Sequence, residues 1–179
     1  LCFLLFIVLV LSDQLTKIWA AEALGNGAVP FIPKILDFTY VENRGIAFGM
    51  LQDMHYIVIP FSILVMVVCL ILMIKANKKG KTLEAVSLVL VLSGAVGNLI
   101  DKLRLGYVVD FFYFELIDFP IFNVADIYVT VATFVLAALI IFLFMKDLRS
   151  PVLIVITIPL SLLITLLVFY LLNISMNII

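Results

Sequence analysis

The sequence has few of the side chains that most enzyme centres use. It contains one histidine and two cysteines, and 13% of its 179 residues are charged. These are too few ligands for a usual zinc site, and a serine triad lacks a well-placed histidine. No phosphate-binding loop of the form GxxxxGK[ST] occurs. We therefore expect carboxylate chemistry without metal or cofactor, and a carboxylate-only magnesium or calcium site is the weaker alternative.

The charges are also too few and too mixed for a nucleic-acid partner. The net charge is −1, and no basic stripe runs through the sequence. Cys2 and Cys69 lie inside apolar runs, so we interpret them as small buried hydrophobic residues. The chain begins at Leu1 rather than at Met, and we expect further residues before it.

Apolar residues dominate instead, at 66% of the chain. Five apolar runs are each close to the roughly 18–20 residues that a membrane-spanning helix needs. They cover residues 1–19, 56–74, 83–100, 124–145 and 151–172. The sequence thus predicts an all-α integral-membrane helix bundle with four core spans and an extra C-terminal span.

Lysines predict the orientation of these spans. The short loop 75–82 carries four lysines, and the link 146–150 carries Lys146 and Arg149. Positively charged short loops face the cytoplasm, so the longer segments 20–55 and 102–123 face outward. In the first of these, the alternating run Ile35–Val41 predicts a small β-sheet or hairpin that serves as a platform.

Carboxylates gather at the outward ends of the spans, where keeping them costs free energy and indicates function. They are Asp13, Asp101, Asp110, Asp118 and Asp126. Two nearby carboxylates at such a boundary share one proton and can activate water. Asp110 and Asp126 are our candidates for this pair, although spacing does not separate them from Asp101 with Asp126. Asn123 is also a candidate N-cap for the fourth span, with Asp126 at its third helical position.

Four ordered sequence blocks resemble those of lipoprotein signal peptidases, the bacterial type II signal peptidases. The blocks are DQLTK at 13–17, ENRGIAFG at 42–49, GAVGNLIDKLRLGYVVDFF at 94–112 and FNVADI at 122–127. The resemblance covers about residues 1–146. It implies four spans and an aspartic endopeptidase of the bacterial inner membrane whose site faces outward. Its substrates would be diacylglyceryl-modified prolipoproteins, cut just before the lipidated cysteine.

The resemblance also implies roles for individual residues. Asp110 and Asp126 match the two catalytic aspartates. The residues implied to support them or to hold substrate are Asp13, Lys17, Asn43, Gly45, Asn98, Asp101, Lys102 and Asn123. Lys102 departs from the arginine common in the family, and the two side chains are not interchangeable in a bidentate contact. We expect prolipoproteins and membrane lipids as partners, and a monomer.

The C-terminal tail departs from the family pattern. We divide the chain into a peptidase domain, 1–147, and an extra apolar helix, 148–179. The tail pieces IPLSLL and ISMNI resemble a transmembrane stretch of resistance-nodulation-division efflux transporters. Two other functions stay open: a proton-coupled carrier that uses Asp101, Asp110 and Asp126 as relay groups, and a non-enzymatic assembly factor. A carrier should show internal repeats, which we do not find.

Overall fold

The computed structural model describes residues 1–25, 27–45, 55–117, 119–147 and 149–172. Within them the protein is mostly helical, with one small antiparallel sheet. Asp118 and residues 46–54 of the predicted outer platform lie outside the described residues.

Four helices in the described chain are long and apolar enough to cross a membrane. They are α1 (Cys2–Ala23), α2 (His55–Lys78), α3 (Thr82–Leu105) and α4 (Val124–Met145). Large apolar side chains such as Phe61 and Leu64 on α2 are more than half exposed, which suits a surface that faces lipid. The predicted four-span core is therefore confirmed.

A fifth helix, α5 (Arg149–Leu171), follows α4 after a short link. It packs against α4 and also contacts the 3₁₀ turn Glu115–Ile117. This turn belongs to the segment between α3 and α4, so α5 runs back along α4 from its far end. The division of the chain into a peptidase domain, 1–147, and an extra apolar helix, 148–179, stays a prediction.

Helix α3 is the centre of the bundle and contacts α1, α2 and α4. Two glycines allow the closest approaches. A Cβ on Gly94 would lie 2.5 Å from the carbonyl oxygen of Ala125 on α4, and one on Gly97 would overlap the Asp13 carboxylate on α1. Small residues let neighbouring helices approach in this way, and here they bring polar side chains of three helices together.

The sheet lies at one end of the bundle and has three strands in the order β1-β2-β3. The strands are β1 (Val29–Ile32), β2 (Leu36–Asn43) and β3 (Val108–Tyr113). The predicted hairpin of the first outer segment is confirmed as β1 and β2. Strand β3 comes from the second outer segment and was not predicted, although its valines and aromatic residues favour a pleated strand.

Aromatic packing fixes the sheet to the end of α1. Phe111 is 1% exposed and forms a buried core with Ala20, Leu24 and Val109. Trp19 of α1 lies edge-on to Phe38 of β2, with ring centroids 5.4 Å apart. Because β3 pairs with β2 and packs Val109 and Phe111 against the end of α1, the position of its aspartate is fixed.

Candidate active site

Asp110 lies in the middle of β3 and is 2% exposed. Pairing of β3 with β2 sets Asp110 opposite Val41 and Val108 opposite Asn43. The Asn43 side chain consequently donates from Nδ2 to Asp110 Oδ2 at 2.9 Å. Asn123 donates from Nδ2 to the other oxygen, Oδ1, at 2.6 Å. Both oxygens of this buried carboxylate therefore accept amide hydrogen bonds.

Asp126 lies in the first turn of α4, where Asn123 is the N-cap. The Asn123 side chain accepts from the Asp126 backbone N–H at 3.1 Å, and Asp126 Oδ2 accepts from the Asn123 backbone N–H at 3.1 Å. This reciprocal capping box confirms the predicted cap. Asn98 of α3 donates from Nδ2 to the remaining oxygen, Asp126 Oδ1, at 3.0 Å. Asn123 thus contacts both aspartates and holds them together.

Burial and a second negative charge together raise the pKa of Asp110 to about 7 from its usual 3.8. Desolvation is the larger cause and the charge of Asp126 is the next, while hydrogen bonds from Asn43 and Asn123 and the charge of Lys17 oppose them. Two interacting carboxylates of this kind titrate as a pair. The raised pKa of Asp110 therefore lets the pair retain a proton closer to neutral pH than an ordinary carboxyl group would.

A buried ion cluster lies behind the two aspartates. Lys17 of α1, 3% exposed, contacts Asp13 Oδ2 at 3.0 Å and Asp101 Oδ2 at 2.9 Å. Its third contact is a donated hydrogen bond to Asn98 Oδ1 at 2.7 Å. An ammonium group has three donors, so all three are satisfied in a place where an unpaired charge would be costly.

The two carboxylates of this cluster also hold backbone groups of the site. Asp101 Oδ2 accepts from the Val109 N–H at 3.3 Å, and Asp13 Oδ1 accepts from the Ala125 N–H at 3.0 Å. Val109 precedes Asp110 and Ala125 precedes Asp126. The cluster therefore fixes the backbone directly before each aspartate, and the contacts of Asp101 are to the cluster and to this backbone rather than to Asp126.

Lys102 lies on the other side of the site. Its ammonium donates to the Gly45 carbonyl at 3.1 Å, and the Gly45 N–H donates to Asn43 Oδ1 at 3.0 Å. Lys102 is also close enough to Asp110 and Asp126 for their charges to act on it. It thus connects α3 to the chain after β2, beside the aspartate pair.

The structure brings all ten predicted site residues into one connected set, and adds Gln14, for which no role was predicted. Gln14 donates from Nε2 to Asp101 Oδ1 at 3.0 Å and to the Gly97 carbonyl at 3.1 Å. Its position three residues before Lys17 puts both on one face of a helix, which was the available signal. No group of three or more metal-ligating side chains is found within the described ranges.

Comparisons with known proteins identify the family of this site. A family model described as signal peptidase (SPase) II matches residues 5–144. Lipoprotein signal peptidases of Streptococcus pyogenes serotypes M5 (strain Manfredo) and M1 are each 40% identical over 131 residues, covering 73% of this chain and 86% of theirs. The chain belongs to the signal peptidase II family.

Solved structures agree with this family assignment. Two of them, both described as a bacterial membrane enzyme, superpose with a TM-score of 0.68. They are 30% and 31% identical to this chain, and the superpositions cover 82% of it and 91% and 93% of the solved chains. Membership of the signal peptidase II family confirms the predicted enzyme class, an aspartic peptidase that removes signal peptides from prolipoproteins. The four helices of the described chain that are long and apolar enough to cross a membrane agree with a multi-pass membrane protein of this family.

Proposed function

We propose that Asp110 and Asp126 are the catalytic pair of this signal peptidase II and that they activate the water that cleaves the peptide bond. The observation that carries the proposal is the pattern of hydrogen bonds on the pair. Each of the four carboxylate oxygens accepts one N–H, from Asn43, Asn98 or Asn123. These donors hold the carboxylates in place. Because none of them can accept the shared proton, that proton remains available for transfer to substrate.

The reaction follows from one proton on two carboxylates. The ionised member takes a proton from water, and the oxygen of that water attacks the scissile carbonyl carbon. The protonated member gives its proton to the carbonyl oxygen as negative charge develops there. When the intermediate collapses, the C–N bond breaks and the amine leaves with a proton from the pair. The raised pKa of Asp110, about 7, keeps a proton available near neutral pH.

The substrate proposal rests on where the pair lies. The sheet and both aspartates are at the opposite end of the bundle from the lysines of loop 75–82. The positive-inside rule then puts the pair at the outer face of the cytoplasmic membrane. A diacylglyceryl-cysteine would keep its acyl chains in the lipid and present the preceding peptide bond at this depth. We propose that the enzyme acts as a monomer surrounded by lipid.

The contacts of the site count against the two alternatives. A proton carrier would need Asp101 as a relay, yet its carboxylate is bound to Lys17, Gln14 and the Val109 N–H. An assembly factor would not need a buried carboxylate, Asp110, and a half-buried one, Asp126, supported by three asparagines. The efflux-transporter resemblance of the tail stays a resemblance of α5 alone, and one helix cannot form a transport path.

The test is cleavage of a lipidated prolipoprotein by the membrane-inserted enzyme, followed as a gel shift. We expect Asp110→Asn and Asp126→Asn each to abolish cleavage at an unchanged membrane level, and Asp101→Asn to reduce it less. Glu115→Gln is the matched control, because Glu115 is an exposed acid between β3 and α4. Wild-type turnover by either of the first two variants would disprove the catalytic pair.

A further inference from the structure

The three asparagines that border the aspartates share one feature. In each, the side-chain oxygen accepts from a group that can only donate. The donor and acceptor pairs are the Gly45 N–H with Asn43 Oδ1 at 3.0 Å, the Asp126 N–H with Asn123 Oδ1 at 3.1 Å, and Lys17 Nζ with Asn98 Oδ1 at 2.7 Å. An amide has an oxygen end and an NH₂ end, so fixing the oxygen decides which end faces a carboxylate.

Two of these oxygens are held by the backbone, but the oxygen of Asn98 is held by side chains. The backbone N–H groups that hold Asn43 and Asn123 are fixed by the chain itself. The oxygen of Asn98 accepts from Lys17, and also from Asn123 Nδ2 at 3.1 Å. The lysine ammonium carries no acceptor. While it is present, the NH₂ end of Asn98 has to face Asp126.

We infer that Lys17 is a positioning residue that sets the orientation of the Asn98 amide, so that Asp126 receives an N–H and never an amide oxygen. The inference rests on the proposed catalytic pair and adds a role for the ion cluster behind it. Lys17 acts through Asn98 and is not one of the groups that would contact substrate.

Loss of the ammonium would leave Asn123 Nδ2 as the remaining donor to the Asn98 oxygen, so the reversed amide would become more accessible than in the wild-type enzyme. Asp13 and Asp101 would then lack their shared donor and could accept from the NH₂ end of Asn98, which would turn its oxygen toward Asp126. An oxygen facing a carboxylate favours the protonated carboxyl group. The pair would hold its proton to higher pH, and a smaller fraction of the enzyme would carry the ionised carboxylate that activates water.

Loss of the positive charge of Lys17 would by itself also favour the protonated form of the pair. The test therefore has to separate this charge effect from the reversal of the Asn98 amide. The charged groups around the pair are Lys17 and Asp13 on α1, Asp101 and Lys102 on α3, and Glu42 of β2, which is paired with Arg44. Removing Lys17 together with one carboxylate keeps the net charge of the cluster unchanged. Asp13→Asn suits this purpose, because its oxygen can still accept from the Ala125 N–H.

The experiment compares the dependence of kcat/KM on pH for prolipoprotein cleavage. In Lys17→Met/Asp13→Asn we expect the acidic limb, where the ionised member becomes scarce, to move up by about one pH unit. Asn98→Asp, which places a second carboxylate oxygen toward Asp126, should move it in the same direction. The control is Gln14→Leu, because Gln14 contacts Asp13, Asp101 and Gly97 but no asparagine. It should lower the melting temperature and leave the limb in place.

An unmoved limb in the double variant, with a moved limb in Asn98→Asp, would overturn the role of Lys17. A limb that also moves in Gln14→Leu would overturn it, since general loosening would then explain the shift. If the double variant does not accumulate, the amide signals of ¹⁵N-asparagine in the wild-type enzyme decide. The Asn98 NH₂ resonance should follow the titration of the pair and lose that response in Asp126→Asn, and a resonance insensitive to pH overturns the inference. Full activity of Asp110→Asn would instead reject the catalytic pair itself.

Discussion

The proton on Asp110 gives a prediction about stability as well as chemistry. Its pKa is about 7 in the folded enzyme and 3.8 in the absence of the fold. A carboxyl group whose folded pKa is raised contributes stability below the unfolded value, and that contribution is lost as the pH rises through the folded value. Stability should therefore fall between about pH 4 and pH 7.

The size of this effect follows from the linkage relation. From pH 5.5 to pH 8 the wild-type enzyme should lose about 2 kcal/mol through this group, since each pH unit below the folded pKa is worth about 1.4 kcal/mol. For a chain of this length that corresponds to a fall in Tm of about 4–8 °C. Asp110→Asn has no proton to lose at this position, so its Tm should lack this part of the pH dependence.

The assay is thermal unfolding in detergent, followed by the reaction of Cys2 and Cys69 with a thiol-reactive dye. Both cysteines are free and partly buried, and both lie in spanning helices. The measured quantity is the Tm of Asp110→Asn minus that of the wild type, at each pH. Groups that titrate independently of Asp110 cancel in this difference, which therefore reports the titration of Asp110 together with that of its partner Asp126. A difference that stays constant from pH 5.5 to pH 8 would refute the raised pKa of Asp110.

Three further predictions concern helix packing, the lysine beside the pair, and the tail. Gly97→Ala should destabilise the enzyme by about 1–3 kcal/mol, because the new methyl group overlaps the Asp13 carboxylate; an unchanged Tm would contradict the close approach of α1 and α3. Lys102→Gln should reduce kcat/KM by about tenfold through the lost charge-assisted bond to the Gly45 carbonyl, whereas Lys102→Arg should retain most activity. Deletion of 151–179 should leave cleavage intact, and loss of turnover at a normal membrane level would show that α5 belongs to the peptidase.

The spans and the identity of the polar residues could be predicted from the sequence. Apolar runs of membrane length leave helices as the structural choice, and the cost of keeping acids at the ends of such runs made Asp110 and Asp126 candidates. The capping box at Asn123 was also predictable, because it depends on residues three apart in one chain segment. Each of these features depends on residues that are close together in the sequence.

Other features depend on contacts between distant segments, which spacing does not reveal. Strand β3 forms because β2, 67 residues away at Asn43 and Asp110, provides its partner. The choice between Asp101 and Asp110 was open for the same reason, because Asp101 is drawn to Lys17 on another helix. Gln14 was missed because a lone amide in an apolar helix gives no sign of which carboxylates it will meet.

The division of the site between two halves of the chain has a consequence for biosynthesis. Everything before loop 75–82 supplies Asp13, Lys17 and Asn43, and everything after it supplies Asn98 and both aspartates. A nascent polypeptide that has been inserted only up to the second span therefore has an incomplete site. The site can be completed only after the start of α4 has been translated. Two fragments separated within that cytoplasmic loop and produced together should reassemble into a working peptidase, while either fragment made alone should not.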